Sequence, residues 1–212
     1  MCLIIANFAG RVPEAYITEA FNSNPDGAGL LWPEGDRVRI YKSFNLDDIL
    51  GKYESLPAPV ILHFRIATSG KIDKDNTHPF RVNKRLAFVH NGIIANMGNK
   101  KESDTAQFCK LLKGLPENFL SIPSIVDLIE RTIGSSKLAF MDELGEITII
   151  NEFMGHHESG SWYSNYSYLP KFGYSFEEDY NVPLFSIEES KELILDHYGV
   201  DSGSEIEEDI LA

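Results

Sequence analysis

The chain has 212 residues, about 1.4 times a typical domain length, so one large domain with an appendage is expected, able to fold without disulfides or metal. Apolar residues make up 43% and charged residues 24%, an ordinary globular composition, and two cysteines, at positions 2 and 109, exclude a small disulfide-built scaffold. A net charge of −13, from 19 basic and 32 acidic residues, argues against direct nucleic-acid binding.

In chain order, CLIIANF (2–8) is an apolar run that reads as a buried strand. PEAYITEAF (13–21) opens with a proline suited to a first helical turn and continues at near-helical spacing. NPDGAG (24–29) is dense turn chemistry, and LLW and VRIYKSF, split by PEGDR, read as a hairpin. PVILHFRIAT (59–68) is strand-like, and RLAFVHNGII (85–94) is a strand running into a glycine break. Helices are expected over 103–115, capped by Ser103 or Asp104 and ending near Gly114, and over 123–134. KLAFMDELGEITIINEF (137–153) reads as a hairpin turning at Leu144 and Gly145, and 186–199 as a short terminal helix. Strands, then helices, then strands again indicate an α+β protein with helices on the faces of its sheets. From Phe176 to Ala212 there are 12 acids and one lysine, a net of −11, so a nearly neutral body of residues 1–175 precedes an acidic segment, 176–212. No apolar run approaches the ~20 residues of a membrane span, and MCLIIANFAG lacks the basic start of a secretion signal, so a cytoplasmic protein is expected.

Several residues have both a plain and a chemical reading. Removal of Met1 would leave Cys2 with a free α-amine beside its thiol, and an amine titrating near ~8 can act as base for that thiol. The plain reading of Cys2 is a small hydrophobe opening a buried strand. His63 and Arg65 share a face of their strand by the two-residue period. A guanidinium within VILHFRIA is costly to bury unpaired, so Arg65 meets either an internal carboxylate or that of a ligand. Asn91-Gly92 is either a hairpin turn or an amide and backbone N–H fit to stabilise an oxyanion. Asp104 either caps its helix or faces a ligand ammonium group.

Taken together, Cys2, NPDGAGL, HFRIATSG, NTHPF, FVHNGII and SDTAQF, in this order, resemble the glutaminase domain of class II glutamine amidotransferases, a group of N-terminal-nucleophile hydrolases. The resemblance runs from Cys2 to about Tyr168. It implies a four-layer αββα sandwich of two mainly antiparallel sheets, and hydrolysis of the glutamine side-chain amide to glutamate and ammonia through a γ-glutamyl thioester on Cys2. It assigns Arg65, with Thr68 as a supporting contact, to the substrate carboxylate and Asp104 to its ammonium group. Asn91 and Gly92 become the oxyanion donors. His78 of NTHPF takes a structural place near the pocket, and Gly27 of DGAG supports the nucleophile strand. No metal or other cofactor is expected. With about 40 residues beyond the resemblance, the chain is expected to be a free-standing glutaminase that passes ammonia to a separate synthase, without contacting membrane or nucleic acid.

Two competing readings keep the fold: an amidohydrolase for another γ-glutamyl amide, and a catalytically silent binding or regulatory protein. His156, His157 and Glu158 do not read as a metal site, since adjacent histidines on a strand point apart. Cys109 reads as core, and Trp162, Tyr163, Tyr166 and Tyr168 as closing one side of the sandwich.

Overall fold

The computed structural model describes residues 2–169; the acidic segment 176–212 and the helix expected at 186–199 lie outside them. The described chain folds as two antiparallel sheets with helices on their outer faces. The first sheet holds β1 (Leu3–Asn7), β2 (Ala28–Glu34), β3 (Arg37–Ser43), β4 (Val60–Phe64), β9 (His156–Glu158) and β10 (Ser161–Tyr163), in the order β3-β2-β4-β1-β10-β9. The second holds β5 (Phe80–Arg81), β6 (Leu86–Asn91), β7 (Lys137–Asp142) and β8 (Ile147–Ile150), side by side in chain order.

Every residue of β1 and β4 is buried, as is every residue of β6. Their sequences are continuous apolar runs because both faces are covered, in contrast to the alternation of a half-solvated sheet. Leu3, Ile5, Leu62 and Phe64 point to one side, where they pack with Ile17 of α1 (Glu14–Ser23) and with Ile49 and Tyr53 of α2 (Leu46–Glu54). Ile4, Ala6 and Ile61 point to the other, against Ala87, Val89, Ala139 and Met141 of the second sheet. The outer face of that sheet, with Phe88, Leu138 and Phe140, is covered by Phe108 and Leu112 of α3 (Asp104–Leu112) and Ile129 and Ile133 of α4 (Pro123–Ile133). Helix, sheet, sheet, helix is the expected four-layer order.

The local signals act as their chemistry predicts. Ser103 caps α3 by accepting from Ala106 N–H at 3.1 Å, and Pro123 sits in the first turn of α4. Asp142 Oδ1 accepts from Leu144 and Glu146 N–H, both at 2.9 Å, which closes the β7–β8 turn. Other expectations need correction. The strand over 59–68 stops at Phe64, whereas the strand in 85–94 ends at Asn91, at the expected glycine break. Asn91-Gly92 makes no hairpin: β6 pairs with β7, and α3 and α4 lie between them in the chain. The aromatic residues near the end divide among layers. Trp162 is buried between the sheets, Tyr163 and Tyr168 pack on the α1–α2 side, and Tyr166 is exposed.

Ile61 is fully buried between the sheets, so Ile61→Ala should cost about 2–5 kcal/mol, whereas Leu128→Ala on the exposed face of α4 should cost under about 0.5 kcal/mol. Chemical denaturation of the two variants beside the parent checks this.

Candidate active site

The pairing of β1 with β4 sets the position of the first candidate residue. Leu3 lies opposite Phe64, so Cys2, one residue earlier, comes beside the segment that follows β4. Its Sγ rests against both backbone groups of Ile66, donating to the carbonyl at 3.5 Å and accepting from the N–H at 3.4 Å. Burial pushes the Cys2 thiol up; the Ile66 hydrogen bond, the chain terminus and Arg65 pull in the other direction.

Arg65 is 2% exposed. Its Nη2 donates to the Ser69 carbonyl at 2.9 Å, and its buried Nη1 has no hydrogen-bond partner. Among the described residues no carboxylate pairs with it, so the internal ion pair weighed for this position is not formed. The backbone around Arg65 is tied down from β2's side: Arg65 N–H donates to the Gly27 carbonyl at 2.8 Å, Asp26 N–H to the Arg65 carbonyl at 2.9 Å, and Ala67 N–H to Asp26 Oδ2 at 2.8 Å. Gly27 has φ +116°, and a Cβ there would meet the Phe44 ring at 2.9 Å and Thr77 Oγ1 at 3.0 Å. Gly27 therefore braces Arg65 and the end of β4; it does not contact the Cys2 strand as expected, because β4 stands between β2 and β1.

Asp104 opens α3 and is 5% exposed. Its Oδ2 accepts from Ile94 N–H and its Oδ1 from Thr105 N–H, each at 2.8 Å. Ser103, not Asp104, is the cap. Beneath this carboxylate lies a group that the motifs did not reveal. Thr105 Oγ1 donates to Asp104 Oδ1 at 3.3 Å and faces His90 Nδ1 at 2.8 Å and His78 Nε2 at 3.1 Å. His78 stacks on His63, with ring centroids 3.9 Å apart, and His63 Nε2–H donates to the His90 carbonyl at 2.9 Å. Since the Thr105 hydroxyl proton goes to Asp104, both imidazoles donate to Thr105, and His78 Nδ1 and His90 Nε2 are left as bare acceptors, unpartnered and buried. Burial pushes His63 down to about 3 and His90 to about 4, and it lowers His78 well below the imidazole range, so the three rings are neutral.

Cys2, Arg65, Thr68, His78, His90, Gly92 and Asp104 line one cavity of about 20 Å³, room for about one water. Thr68 is its exposed member. Gly92 has φ +140°, and a Cβ there would lie 2.8 Å from Ser136 Cα. Asn91 does not line the cavity: its Nδ2 donates to the Cys2 carbonyl, which also accepts from Asn165 Nδ2 at 2.7 Å. Asn165 had no motif to mark it. His156 and His157 point apart on β9. One bonds the Tyr168 hydroxyl and stacks on Tyr166, and the other pairs with Glu152 at 2.9 Å. Cys109 is buried among the α3 residues facing the second sheet. Among the described residues, no group of three or more His, Cys, Asp or Glu is arranged to hold a metal ion, and no helix is long and apolar enough to cross a membrane.

The family model for class-II glutamine amidotransferases matches residues 22–155. The chain belongs to the class-II glutamine amidotransferases. The matched span contains Gly27, Arg65, Thr68, His78, Asn91, Gly92 and Asp104, and it starts after Cys2. A Haemophilus influenzae protein, named provisionally as a glutamine amidotransferase, is 28% identical over 145 residues, covering 60% of this chain and 48% of its own length. The chain thus spans about half of that relative. A Helicobacter pylori glutamine–fructose-6-phosphate aminotransferase is 39% identical over 82 residues, 36% of this chain and 14% of that one. Among solved structures, a glutamine phosphoribosylpyrophosphate amidotransferase from B. subtilis superposes with a TM-score of 0.51 at 10% identity, over 77% of this chain and 41% of that one. That likeness is one of fold: an N-terminal-nucleophile hydrolase sandwich.

The neutral histidines should make the folded chain sensitive to acid. An unfolded imidazole takes up a proton near pH 6.5, whereas folded His63 and His90 stay neutral to about 3 and about 4. The unfolded state binds more protons in between, so stability is intact above pH 6.5 and falls as pH drops below it. Urea midpoints should show a loss of at least about 2 kcal/mol between pH 7 and pH 5; a flat profile would mean that the rings titrate normally.

Proposed function

We propose that this chain hydrolyses the side-chain amide of glutamine to glutamate and ammonia, with Cys2 as the nucleophile. The observation that carries this is the buried Arg65 guanidinium, which among the described residues has no carboxylate partner and no partner for Nη1, and which lines a cavity shared with Asp104 and the Cys2 thiol. A free amino acid brings a carboxylate for Arg65 and an ammonium group for Asp104, and this places its neutral amide end by elimination beside Cys2. Thr68 supports the carboxylate contact. The bare nitrogens of His78 and His90 add hydrogen-bond acceptors to the same wall.

In this reading the loss of Met1 frees the Cys2 α-amine, which takes the thiol proton. This step matters because burial holds the thiol up and so keeps it neutral. Sulfur attacks the amide carbon, and the oxyanion is met by the Gly92 N–H and by the second N–H of Asn91 Nδ2, whose first is spent on the Cys2 carbonyl. The ammonium returns its proton to the leaving nitrogen, ammonia departs, and water cleaves the thioester to glutamate. At about 20 Å³ the cavity is smaller than glutamine, so in this reading its lining adjusts when the substrate binds. The ammonia goes to an acceptor enzyme, for which we propose a separate synthase.

The test is intact mass before and after exposure to a glutamine-like diazoketone, together with ammonia release from glutamine. Loss of Met1 and one adduct on Cys2 are expected. Cys2→Ala should abolish both adduct and ammonia release. Asn91→Ala should lower kcat by about 10²–10³-fold. Arg65→Lys should raise KM more than it lowers kcat, because a single ammonium replaces a two-pronged donor. A chain that retains Met1 and takes no adduct would instead be a glutaminase-fold binding protein. A processed chain inert to glutamine but active on another γ-glutamyl amide would shift the substrate.

A further inference from the structure

Away from the candidate site, one depression gathers positive charge on a chain whose net charge is −13. Its volume is about 470 Å³, and it is lined by Arg37 and Arg39 of β3, Arg81 of β5, Lys84 in the turn before β6, and Lys113 just past α3. β3 is an edge of the first sheet and β5 an edge of the second. Val38 N–H donates to the Lys84 carbonyl at 3.2 Å, which ties the two edges together and brings the five cations around one space.

Two carboxylates contact this group. Asp36 holds Lys84 and, at 3.3 Å, Arg37; Glu34 holds Arg39 at 2.5 Å. Among the described residues, five cations against two carboxylates leave three positive charges uncompensated. The mode of contact matters as much as the count. Both arginines reach their carboxylate through Nε alone, so the paired Nη1 and Nη2 groups of each have no protein partner among the described residues. Arg81 spends only Nη1, at 3.4 Å from the Lys84 carbonyl, and among the described residues no carboxylate pairs with Lys113. Asp36 and Glu34 thus orient the guanidinium groups and leave their two-pronged ends open. Partial burial, and then Arg37 and Arg39 beside it, lower the proton affinity of Arg81, as unneutralised like charges at close range do.

We propose that this depression binds a compact phosphorylated small molecule, a phosphomonoester or a diphosphate, through Arg37, Arg39 and Arg81. Forked guanidinium groups match the tetrahedral oxygens of phosphate, and the volume lies within the range of about 300–1,000 Å³ usual for small-ligand sites. The cations line one depression, so a compact anion seated there meets several of them, whereas an extended polymer would meet them only at one point along its length. None of these residues lines the Cys2 cavity, and the proposal stands whether or not glutamine is the substrate there.

Calorimetric titration of the full chain with pyrophosphate and with inorganic phosphate, at low ionic strength, tests this. Saturable one-to-one binding is expected, tighter for pyrophosphate. Arg37→Gln and Arg81→Gln should each weaken it by about tenfold or more, while Arg131→Gln on α4, which removes a distant exposed charge, should leave it unchanged. All three positions are on the surface, so melting curves should coincide with the parent's. Absence of saturable binding, or binding that survives the double Arg37→Gln/Arg81→Gln variant, would overturn the proposal. So would tighter binding of an oligoaspartate peptide or a short oligonucleotide, which would make the depression a docking point for a macromolecule.

Discussion

Leu3 is paired with Phe64 and Ile5 with Tyr163, and these registers decide what Cys2 can touch. A shift of one residue in either ladder would turn Ile4 and Ala6 out of the layer between the sheets and move the thiol away from Ile66. The apolar faces forbid the shift, because Leu3 and Ile5 are required on the helix side as firmly as Ile4 and Ala6 are on the other. The precision of a polar site is therefore borrowed from hydrophobic packing several ångströms away. β4 carries the same constraint onward. With Leu62 and Phe64 committed to one side, His63 and Arg65 have only the space between the sheets to occupy.

That space has been made to hold polar groups at some cost. Three imidazoles, a threonine hydroxyl, a carboxylate and a guanidinium are packed where water is scarce, and four of their nitrogens find no partner within the protein. Burial alone would be expected to empty such a region of polar residues, since an unpaired buried group costs about 1–3 kcal/mol. Thr105 limits the cost by serving Asp104, His78 and His90 at once. A framework of this kind fixes the direction of each lone pair, which a floor of leucines would not do.

Elements bounded by strong local chemistry were legible in the sequence: the Ser103 cap, the Pro123 start, the 142–147 turn. The missed elements had weaker or ambiguous signals. α2 is short and carries Gly51, although Asn45 caps it by accepting from Asp47 and Asp48 N–H. β9 and β10 are three residues each, too short to show alternation. Asn91-Gly92 carries hairpin chemistry, but the next strand to pair with β6 begins only at Lys137, and no local rule sees that far. Cys2, Arg65, Gly92 and Asp104 stand out in the sequence because each lies in a recognisable motif, and the fold gathers them around one cavity. Thr105 and Asn165 escaped because their roles exist only through contacts with residues remote in the chain. Gly27 was expected to support the Cys2 strand but sits beside the end of β4, since the order of strands in a sheet is not written in any one segment.

The central place of β1 has a consequence for how the protein is made. Its neighbours are β4, about 60 residues later, and β10, about 160 residues later. At roughly 5–20 residues per second of synthesis, the second neighbour emerges roughly 10–30 s after the first strand. Throughout that interval β1 has no complete sheet to enter. Once Tyr163 closes the ladder, Cys2 is drawn against Ile66 and its carbonyl is taken by Asn91 and Asn165. Burial of Cys2 is thus among the last events that the order of synthesis allows.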